Sequence, residues 1–401
     1  MNFSYFIAKR ITIHSKRTFS KLIVRIAVAG ISLGIVVMLL SIGIIRGFKS
    51  TIKDKLTGFS GDVQISLYES DSFNEKKYIL KDPSIENFLK SNPKVQGFFE
   101  CASKVSMLKF GDRTEPIVIK GVSSIDQYDF IVASIIKGKR FNLNNNECLI
   151  SEQQRIRFNL DTGMSLMVYF ADKNIKLRKL KVTGIYETGI EQIDRSIILS
   201  PIAFIRNVND WSANQTGFYQ VHLKDIADAQ ELQGQLNDLL PISQRANLSE
   251  EIYPELYDWI ELLDVNAEVI IVLMLLVAGI NMISALLILI LERTSFIGIL
   301  KSLGASNGSI RSIFAYNALY LIGLGLLIGN LITIAFTYVQ QHWRIIKLDS
   351  KSYYMSYVPV DLHLSDYILL NIGCIAVCMF FVWIASFLVL RITALKAIQF
   401  N

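Results

Sequence analysis

The reactive side chains of this sequence are not arranged as a nucleotide-binding or catalytic motif. The phosphate-binding loop G-x-x-x-x-G-K-[ST] is missing, and the nearest fragment, Gly138-Lys139-Arg140, has neither the earlier glycine nor the final hydroxyl. The metalloprotease pattern H-E-x-x-H and the redox pattern C-x-x-C are also missing. We therefore predict that the chain is not an enzyme, that it binds no cofactor, and that it does not hydrolyse ATP itself.

Histidine and cysteine, the usual metal ligands, do not form a metal site in the sequence. Cys101 and Cys148 are 47 positions apart, and the sequence leaves open a disulfide or two free thiols. Cys374 and Cys378 are one helical turn apart in an apolar run, where packing is their expected role. The four histidines are scattered: His14, His222, His342 and His363.

The composition indicates a membrane protein. Of 401 residues, 51% are hydrophobic and 19% are charged, and the mean hydropathy is +0.37. Seven Pro, 23 Gly and four Cys are too few for a collagen-like, low-complexity or disulfide-rich protein. Because no basic stripe with interleaved aromatic residues occurs, nucleic acid is not an expected partner.

Four apolar runs are long enough to cross a bilayer, which takes roughly 20 residues. None of them contains Asp, Glu, Lys, Arg or His. The first run is expected to be an uncleaved signal anchor, since no small-x-small cleavage pattern follows it. The predicted transmembrane helices are Ile26–Ile45, Val269–Leu291, Ser312–Gln340 and Tyr367–Leu390.

The charge distribution predicts how the chain crosses the membrane. Residues 48–268 hold 26 Lys and Arg against 31 Asp and Glu, whereas the rest of the chain holds 15 basic and four acidic residues. Cytoplasmic loops collect Lys and Arg. Both termini, and the loop between the second and third spans, are therefore expected in the cytoplasm.

The segment between the first and second spans is long enough for one or two folded domains. Helical patterns occur at Ser84–Lys90 and Ile226–Leu240. Strand-helix-strand stretches precede residue 122 and follow residue 215, which predicts a mixed α/β domain with an insertion at about 123–214. The strand-like runs are Val63–Leu67, Lys104–Phe110, Ile117–Lys120, Lys179–Thr183, Ile197–Leu199 and Gln220–Leu223.

The flanking segments complete the predicted organisation. Apolar residues among basic ones near the N-terminus predict a helix on the inner leaflet, or alternatively a disordered leader. Residues Glu251–Asp264 have helical spacing, so the second span is expected to extend as a stalk. The predicted order is an amphipathic cytoplasmic segment (1–21), the first transmembrane helix (22–47), the extracytoplasmic domain (48–265), the second transmembrane helix (266–291), a cytoplasmic loop (292–311), the third transmembrane helix (312–340), a short outer loop (341–366), the fourth transmembrane helix (367–390) and a cytoplasmic tail (391–401).

Glycines and polar residues inside the spans predict close helix packing. Gly30/Gly34 and Gly325/Gly329 have the G-x-x-x-G spacing, which serves contacts within one chain or between two chains. Hydrogen bonds between helices are the expected role of the polar residues. These are Ser32, Ser41, Asn281, Ser284, Asn317, Asn330, Thr333, Asn371 and Ser386.

The most distinctive segment links the second and third spans. It reads Leu291-Glu-Arg-Thr-Ser-Phe-Ile-Gly-Ile-Leu-Lys-Ser-Leu-Gly-Ala-Ser306. Its charged start and Gly-Ala-Ser stop predict a short surface helix with an apolar face of Phe296, Ile299, Leu300 and Leu303. An inert interfacial turn is the alternative. The segment resembles the E-R-T-x-E-I-G-I-L-K-A-L-G-A run of the FtsX-like permease domain of ABC transporters.

Further motifs extend this resemblance along the chain. Val277-Ala-Gly-Ile-Asn-Met-Ile-Ser-Ala-Leu286 is similar to V-A-x-x-N-I-x-S-x-L of the lipoprotein-releasing permeases of LolC/LolE type. One departure is Ala394, which stands where proline is usual. The other matching segments are Phe6-Ile-Ala-Lys-Arg10, Gly30-Ile-Ser-Leu-Gly34, Arg46-Gly-Phe48, Gly184-Ile-Tyr-Glu-Thr-Gly189, Trp259 and Lys396-Ala-Ile398.

This resemblance implies an α-helical membrane protein of type VII ABC permease architecture, with four transmembrane helices and a mixed α/β extracytoplasmic domain between the first and second. It implies a dimer of separate ABC ATPase subunits, which would hold ATP and Mg, and a second permease chain, identical or diverged. It also implies mechanotransmission: ATP binding moves the outer domain.

The resemblance further implies that the linking segment is the coupling helix that contacts the ATPase. Phe296 stands where the family has an acidic residue, so apolar packing is expected to replace an ion pair there. Leu300→Asp is predicted to uncouple ATP hydrolysis from transport. The residues expected to make the contact are Glu292, Arg293, Thr294, Phe296, Ile297, Leu300, Lys301, Leu303 and Gly304.

The function implied by the resemblance is extraction of lipoproteins from a bacterial inner membrane, with membrane lipid and a periplasmic lipoprotein carrier as further partners. Acyl chains would enter a cavity lined by the first and second spans, although ordinary helix packing is the alternative role of the same residues. The cavity candidates are Met38, Leu39, Ile42, Met274 and Met282.

Three other functions remain open at this point. Export of peptides or antibiotics and signalling to cell-wall hydrolases occur on the same scaffold. A membrane receptor without an ATPase is a third alternative.

Overall fold

A computed structural model describes residues 18–387, except 69–77, 111–112, 126–127, 144–145, 172–174, 350–352 and 354. These described residues form two compact units. The membrane unit contains the described residues up to Lys49, Trp259–Lys347 and those from Tyr357 onward. The α/β unit contains Ser50–Asp258 and the described part of Leu348–Ser356. Most of the predicted N-terminal segment, the end of the fourth span and the predicted tail 391–401 lie outside the described residues.

The helices are, in chain order, α1 (Thr18–Ser60), α2 (Pro83–Ser91), α3 (Asp129–Ser134), α4 (Glu152–Arg157), α5 (Glu191–Ser196), α6 (Ile202–Asn209), α7 (Ala229–Leu239), α8 (Ser249–Ile252), α9 (Pro254–Glu292), α10 (Thr294–Ser302), α11 (Asn307–Trp343) and α12 (Leu364–Ser386). A 3-10 turn at Ile226–Asp228 precedes α7.

The strands are β1 (Val63–Leu67), β2 (Ile79–Leu80), β3 (Val95–Phe110), β4 (Arg113–Val122), β5 (Ile135–Gly138), β6 (Glu147–Ser151), β7 (Ser165–Ala171), β8 (Ile175–Tyr186), β9 (Ile197–Pro201), β10 (Gln215–Thr216), β11 (Phe218–Leu223) and β12 (Gln244–Leu248).

Four helices, α1, α9, α11 and α12, are long and apolar enough to cross a membrane. They confirm the four predicted spans and the place of the α/β domain between the first and second of them. Helix α1 has 43 residues, which at 1.5 Å per residue is about twice the roughly 30 Å of a hydrocarbon core. Helix α9 has 39 residues and begins at Pro254, a residue suited to a first helical turn. The predicted stalk on the second span is therefore confirmed.

The membrane unit has an apolar core drawn from all four of these helices. Ile31 and Ile35 of α1, Met282 of α9, Phe314 of α11 and Cys378 of α12 are almost fully enclosed in it. Because lipid is as apolar as these side chains, such a core is held by close packing rather than by exclusion of water.

The α/β unit is built on one sheet of ten strands. Its order is β12-β1-β11-β3-β4-β9-β6-β8-β5, and β7 pairs with both β3 and β8. The pairs β4–β9 and β6–β8 are parallel, and the other pairs are antiparallel. Strand β1 lies between β11 and β12, with Val63 opposite both Val221 and Leu248. Strands β2 and β10 form a separate short pair.

Two apolar cores lie against this sheet. The first contains residues of β1, β11 and β12 with α2 and α7, for example Ile85 and Leu232. The second contains residues between Ala102 and Trp211, for example Val168 and Ile205. Strand β3 supplies both cores, so the second core begins before the predicted insertion at 123–214. The boundaries of that insertion stay a prediction.

The predicted strands and helices of the α/β domain are confirmed. The six strand-like runs lie in β1, β3, β4, β8, β9 and β11. The two helical patterns correspond to α2 and to the 3-10 turn followed by α7. Strands β2, β5, β6, β7, β10 and β12 and the short helices α3 to α6 and α8 were not predicted.

Candidate functional site

The segment between the second and third membrane helices forms the short helix α10, as the sequence predicts. Helix α9 ends at Glu292, and Arg293 leaves helical geometry with φ −108° and ψ +18°. At the other end Gly304 has φ +87°, a conformation that favours glycine, and its N–H donates to the carbonyl oxygen of Lys301 at 3.1 Å. The predicted Gly-Ala-Ser stop therefore ends this helix.

The apolar residues of α10 divide into two faces. Ile297 and Leu300 are buried in the membrane unit's own core, and Phe296 packs against that core. Ile299 and Leu303 point outward, with 55% and 78% of their surface exposed. The predicted single apolar face is therefore split, and in this structure Leu300 is not available to a partner. Of the other predicted contact residues, Gly304 is exposed and Glu292, Arg293, Thr294 and Lys301 are partly buried.

Residues 304–308 read G-x-S-x-G, the letters of a hydrolase nucleophile motif, so the expectation that the sequence holds no catalytic motif is wrong as far as the letters go. Here Ser306 is the N-cap of α11, and its hydroxyl accepts a hydrogen bond from the backbone N–H of Ser309 at 3.2 Å. The motif in hydrolases needs a strand before the serine and a helix after it, whereas helix α10 precedes Ser306. The residue's role in this chain is to start a helix.

The candidate lipid-cavity residues lie mostly inside the helix bundle. Met38, Leu39 and Met282 have no measurable exposed surface and belong to the membrane unit's core. Ile42 and Met274 are partly buried. In this arrangement the first three fill space between the chain's own helices, so only the last two retain surface that an acyl chain could touch.

Four of the nine polar residues predicted to bond between helices do so, namely Asn281, Asn330, Asn371 and Ser386, whereas the amide oxygen of Asn317 is buried without a hydrogen-bond partner among the described residues. The Asn281 amide of α9 donates to the carbonyl oxygen of Ala27 in α1 at 3.2 Å. Asn330 of α11 and Asn371 of α12 exchange amide hydrogen bonds at 2.9 and 3.2 Å. Two of the predicted residues, Ser284 and Thr333, bond instead to carbonyls of their own helix.

The glycine pairs are used within the chain. A Cβ at Gly30 would come within 2.2 Å of the Asn281 amide nitrogen. A Cβ at Gly325 would be 2.9 Å from the Ile31 side chain, and one at Gly329 only 2.0 Å from that of Ile35. These glycines therefore let α9 and α11 approach α1 closely, which settles the open alternative for them in favour of intrachain packing.

The motif Arg46-Gly47-Phe48 joins α1 to the first turn of α12 and the residues just before it. The Arg46 guanidinium pairs with both carboxylate oxygens of Asp366, with an Nη2–Oδ1 distance of 3.0 Å, and its Nη1 donates to Nδ1 of His363 at 2.8 Å. Gly47 lies against Pro359, whose carbonyl oxygen would be 2.9 Å from an added Cβ. The sequence does not reveal this contact, because the partners are 320 positions apart.

In the α/β unit, the last turn of α1 is attached to the sheet by a buried polar cluster, the α1 joint, formed by Phe59, Lys120, Tyr128 and Gln220. The Phe59 carbonyl oxygen accepts from Lys120 Nζ at 2.7 Å, from Gln220 Nε2 at 3.1 Å and from the Tyr128 hydroxyl. Lys120 Nζ also donates to Gln220 Oε1 at 2.8 Å. Lys120 comes from β4 and Gln220 from β11, so two strands hold one helix end.

Burial determines the charges at the α1 joint. It lowers the pKa of Lys120 to about 8, because an ammonium group loses its hydration there. Burial, helped by the positive charge of Lys120, lowers the pKa of His222 to about 4. Burial also raises the pKa of the Cys101 thiol to about 11. Near neutral pH the histidine and the thiol are therefore uncharged, and the lysine carries the charge.

The motif Gly184-Ile-Tyr-Glu-Thr-Gly189 ends in a loop that contacts α1. The Asp194 carboxylate accepts from the N–H and hydroxyl of Thr188, at 3.1 and 2.8 Å, and from the N–H of Gly189 at 3.0 Å. Burial raises the pKa of Asp194 although these bonds oppose the rise. On the other side of the loop, Lys55 of α1 donates to the Thr188 carbonyl oxygen at 2.9 Å.

The four cysteines are free and buried. Cys101 and Cys148 therefore follow the free-thiol alternative that the sequence left open. Among the described residues no group of three or more His, Cys, Asp or Glu side chains is placed to hold a metal ion.

Four membrane helices, an α/β domain between the first two and a short helix between the second and third define a multi-pass membrane permease. The profile of the FtsX-like permease C-terminal family matches residues 268–394. The profile of the MacB-like periplasmic core domain matches residues 26–239, more than half of the chain. The chain belongs to the FtsX-like permeases of ABC transporters, with a MacB-like periplasmic core domain.

Several relatives match along nearly their whole length. The lipoprotein-releasing system transmembrane protein LolE of Haemophilus influenzae is 23% identical, with 94% of each chain covered. LolC of Neisseria meningitidis serogroup B is 22% identical, with 91% of this chain and 90% of the relative covered. LolC of Xylella fastidiosa strain 9a5c is 18% identical, with 86% of each covered.

Solved structures similar to part of the chain are more remote. The periplasmic region of MacB from Actinobacillus actinomycetemcomitans aligns with a TM-score of 0.35 at 14% identity, covering 50% of this chain and 95% of that one. The extracellular domain of the transporter YknZ from Gram-positive bacteria gives 0.33 at 15% identity, covering 46% and 98%.

Proposed function

We propose that this permease is the membrane subunit of an ATP-driven transporter that extracts lipoproteins from the bacterial inner membrane for transfer toward the outer membrane. The observation that carries the proposal is the length of the similarity to lipoprotein-releasing proteins, 94% of both chains in the case of LolE. A match to a shared membrane domain alone would not distinguish lipoprotein release from other uses of the scaffold.

The proposed partners and orientation are supported by two features of the sequence, the missing phosphate-binding loop and the distribution of Lys and Arg. Its sequence has no phosphate-binding loop, so a separate ATPase dimer supplies the energy and binds ATP and Mg²⁺. A second permease chain completes the transporter, and a periplasmic carrier receives the lipoprotein. The excess of Lys and Arg beside the spans supports an orientation with both termini and α10 in the cytoplasm.

The exposed residues of α10 are the proposed contact with the ATPase. Ile299 and Leu303 present apolar surface on a short helix beside the partly buried Lys301, and exposed apolar side chains gain most from a partner's groove. The buried face of the same helix, with Ile297 and Leu300, attaches it to the membrane unit's core. A force that the ATPase applies to the exposed face would therefore be transmitted to the core of the membrane unit.

The contact is tested with matched charge substitutions in α10. Ile299→Asp and Leu303→Asp are expected to reduce co-purification of the ATPase about tenfold or more, because an apolar contact is replaced by a buried charge. Ser295→Asp, at an exposed position of the same helix, is the control and is expected to retain the ATPase. Leu300→Asp is expected to lower the yield of folded permease instead. Normal ATPase binding by both exposed-face variants would contradict the assignment.

The function itself is tested by depleting the permease in its host and fractionating the two membranes. Accumulation of mature lipoproteins in the inner membrane, with other envelope traffic normal, is the expected result. Normal lipoprotein sorting would refute lipoprotein release and favour export of peptides or antibiotics, or signalling to cell-wall hydrolases. A permease that co-purifies with no ATPase would favour a receptor.

A further inference from the structure

In the α1 joint, one backbone oxygen accepts more hydrogen bonds than it has lone pairs. A carbonyl oxygen has two lone pairs, yet the Phe59 oxygen receives hydrogen bonds from Lys120, Tyr128 and Gln220. Phe59 belongs to the last turn of α1, whose final carbonyls have no partner within the helix. The sheet therefore supplies partners for the end of this helix.

Burial of the charged Lys120 side chain in this cluster is expected to lower the stability of the fold. Lys120 is 5% exposed, and within the described part of the chain none of its hydrogen bonds or ion pairs involves a carboxylate. Its neighbours are neutral groups and the Phe59 ring, whose centroid is 4.1 Å from Nζ. The negative end of the α1 dipole also favours its charge. Buried charges are often replaceable by apolar residues without loss of stability, so stability alone does not account for a lysine here.

The direction of the contacts indicates what the lysine does. Lys120 and Gln220 belong to β4 and β11, which are separated by β3 in the central part of the sheet. Both donate to the Phe59 carbonyl oxygen at the end of α1. The Gln220 amide also accepts from Lys120 through its oxygen and bonds to His222 through its nitrogen. A displacement of α1 along its axis would therefore be resisted by two strands rather than absorbed by a flexible turn at Gly61.

We propose that Lys120 is a positioning residue that fixes the end of α1 to the sheet, so that movement of α1 during the ATP cycle displaces the α/β unit. The inference rests on the proposed ATP-driven function, because it assigns to one cluster the transfer of that movement. Loss of the lysine would leave ATP hydrolysis intact and weaken its coupling to work in the α/β unit.

The test compares Lys120→Met with Lys104→Met in the assembled complex of permease and ATPase. Lys104 is a matched control: it bonds to the Asn209 amide oxygen and lies over the Phe170 ring at 5.8 Å, but none of these partners is in α1. The readout is lipoprotein released per ATP hydrolysed, normalised to assembled complex. We expect about a tenfold fall or more for Lys120→Met, since a charged hydrogen bond is lost, and a value near wild type for Lys104→Met. A merely structural role would lower the amount of complex without changing this ratio.

A covalent substitute for the joint separates positioning from folding. Ser60 and Ser249 have hydroxyl oxygens 3.1 Å apart, so a cysteine pair at these positions can form a disulfide that ties the end of α1 to the residue after β12. In the Lys120→Met background, the oxidised pair is expected to restore release per ATP and the reduced pair to leave it low. An unrestored ratio after oxidation, or a wild-type ratio in Lys120→Met, would overturn the proposal.

A second readout needs no lipoprotein. Spin labels are placed at Ile242→Cys and Trp343→Cys, which are 99% and 64% exposed, while the native cysteines are buried. ATP is expected to change the distance between the labels in the wild-type complex and not in Lys120→Met. If Lys120→Met fails to assemble, Tyr128→Phe, which removes one donor and keeps the ring, takes its place. If the wild-type complex releases no lipoprotein but ATP still changes the distance between the labels, the proposed function is refuted and the role of the α1 joint is supported.

Discussion

Acidification is expected to destabilise the α/β unit through His222. The ring nitrogen Nε2 lies 2.9 Å from the amide nitrogen of Gln220. Because the amide oxygen of Gln220 accepts from Lys120, its NH₂ group faces His222, and the histidine must be the acceptor. A protonated ring would place two donors against each other beside the positive charge of Lys120. The neutral form is therefore strongly preferred in the folded state.

The size of the effect follows from the pKa of His222, which burial and Lys120 lower from 6.5 to about 4. Since the unfolded chain then binds a proton at a higher pH than the folded chain does, stability is fully present above pH 6.5. It falls as the pH drops through about 4. A pKa difference of this size corresponds to at most about 3 kcal/mol, reduced somewhat because part of the ring is accessible to water.

The assay is urea unfolding of the full chain in detergent at pH values from neutral to about 4. Trp259, Trp343 and Trp383 are replaced by Phe, so that the fluorescence reports Trp211 in the α/β unit. His222→Gln is the control, since its amide can still accept from Gln220 but does not titrate. Burial raises the pKa values of Asp62 and Asp194, so both contribute with the opposite sign in wild type and control alike. Equal losses of stability in the two proteins on acidification would refute the reasoning.

Two further predictions concern the membrane unit. Gly329→Ala is expected to lower the free energy of unfolding in detergent by about 1–3 kcal/mol, and with it the melting temperature. The reason is that the added Cβ would clash with Ile35 and overpack the contact between α11 and α1. Gly323→Ala, at a position with open space around it, should have little effect, and equal melting temperatures would contradict this account. Asn330→Leu and Asn371→Leu, combined in a double-mutant cycle, are expected to show a coupling energy of about 0.6 kcal/mol, up to roughly 1.7. A coupling of zero would show that their reciprocal hydrogen bonds add no stability.

The elements that the sequence predicts correctly are those that depend on residues within one short stretch of the chain. A transmembrane helix is recognisable from its own residues, because a bilayer requires a long uncharged run whatever the rest of the chain does. Strands such as Val63–Leu67 are recognisable for a similar reason, since β-branched residues and bounding turns occur in the same short window. Helix α10 was located correctly because its start and stop residues are local as well.

The orientation of α10 could not be predicted, although its existence could. Its apolar residues surround most of a helix of nine residues. They are Phe296, Ile297, Ile299 and Leu300, followed by Leu303 at the C-cap. A pattern this broad has no single apolar face, so the contacts with the membrane unit decide which residues are enclosed. Ile297 and Leu300 turn inward and Ile299 and Leu303 outward. The choice depends on how α10 packs in the membrane unit's core, which also contains residues of α9, α11 and α12.

The α1 joint was missed for a different reason. Lys120 ends the apolar run Ile117–Lys120, where a lysine normally marks the end of a strand in solvent. In the structure β4 continues to Val122, and the lysine side chain turns toward the end of α1. Its partners Phe59 and Gln220 are 61 and 100 positions away. No periodicity in the sequence connects them, and only the strand order brings them together.

The use of the glycines within one chain limits how two permeases can associate. Gly30 and Gly329 already contact Asn281 and Ile35, so a second chain cannot pack against them. The exposed face of α9 consists instead of large side chains, Val269, Val272, Leu276 and Ile280, with 45% to 59% of their surface exposed. In a bilayer such residues gain little by exchanging lipid for another apolar helix. We therefore expect this exposed face of α9 to contribute little to any association between two chains.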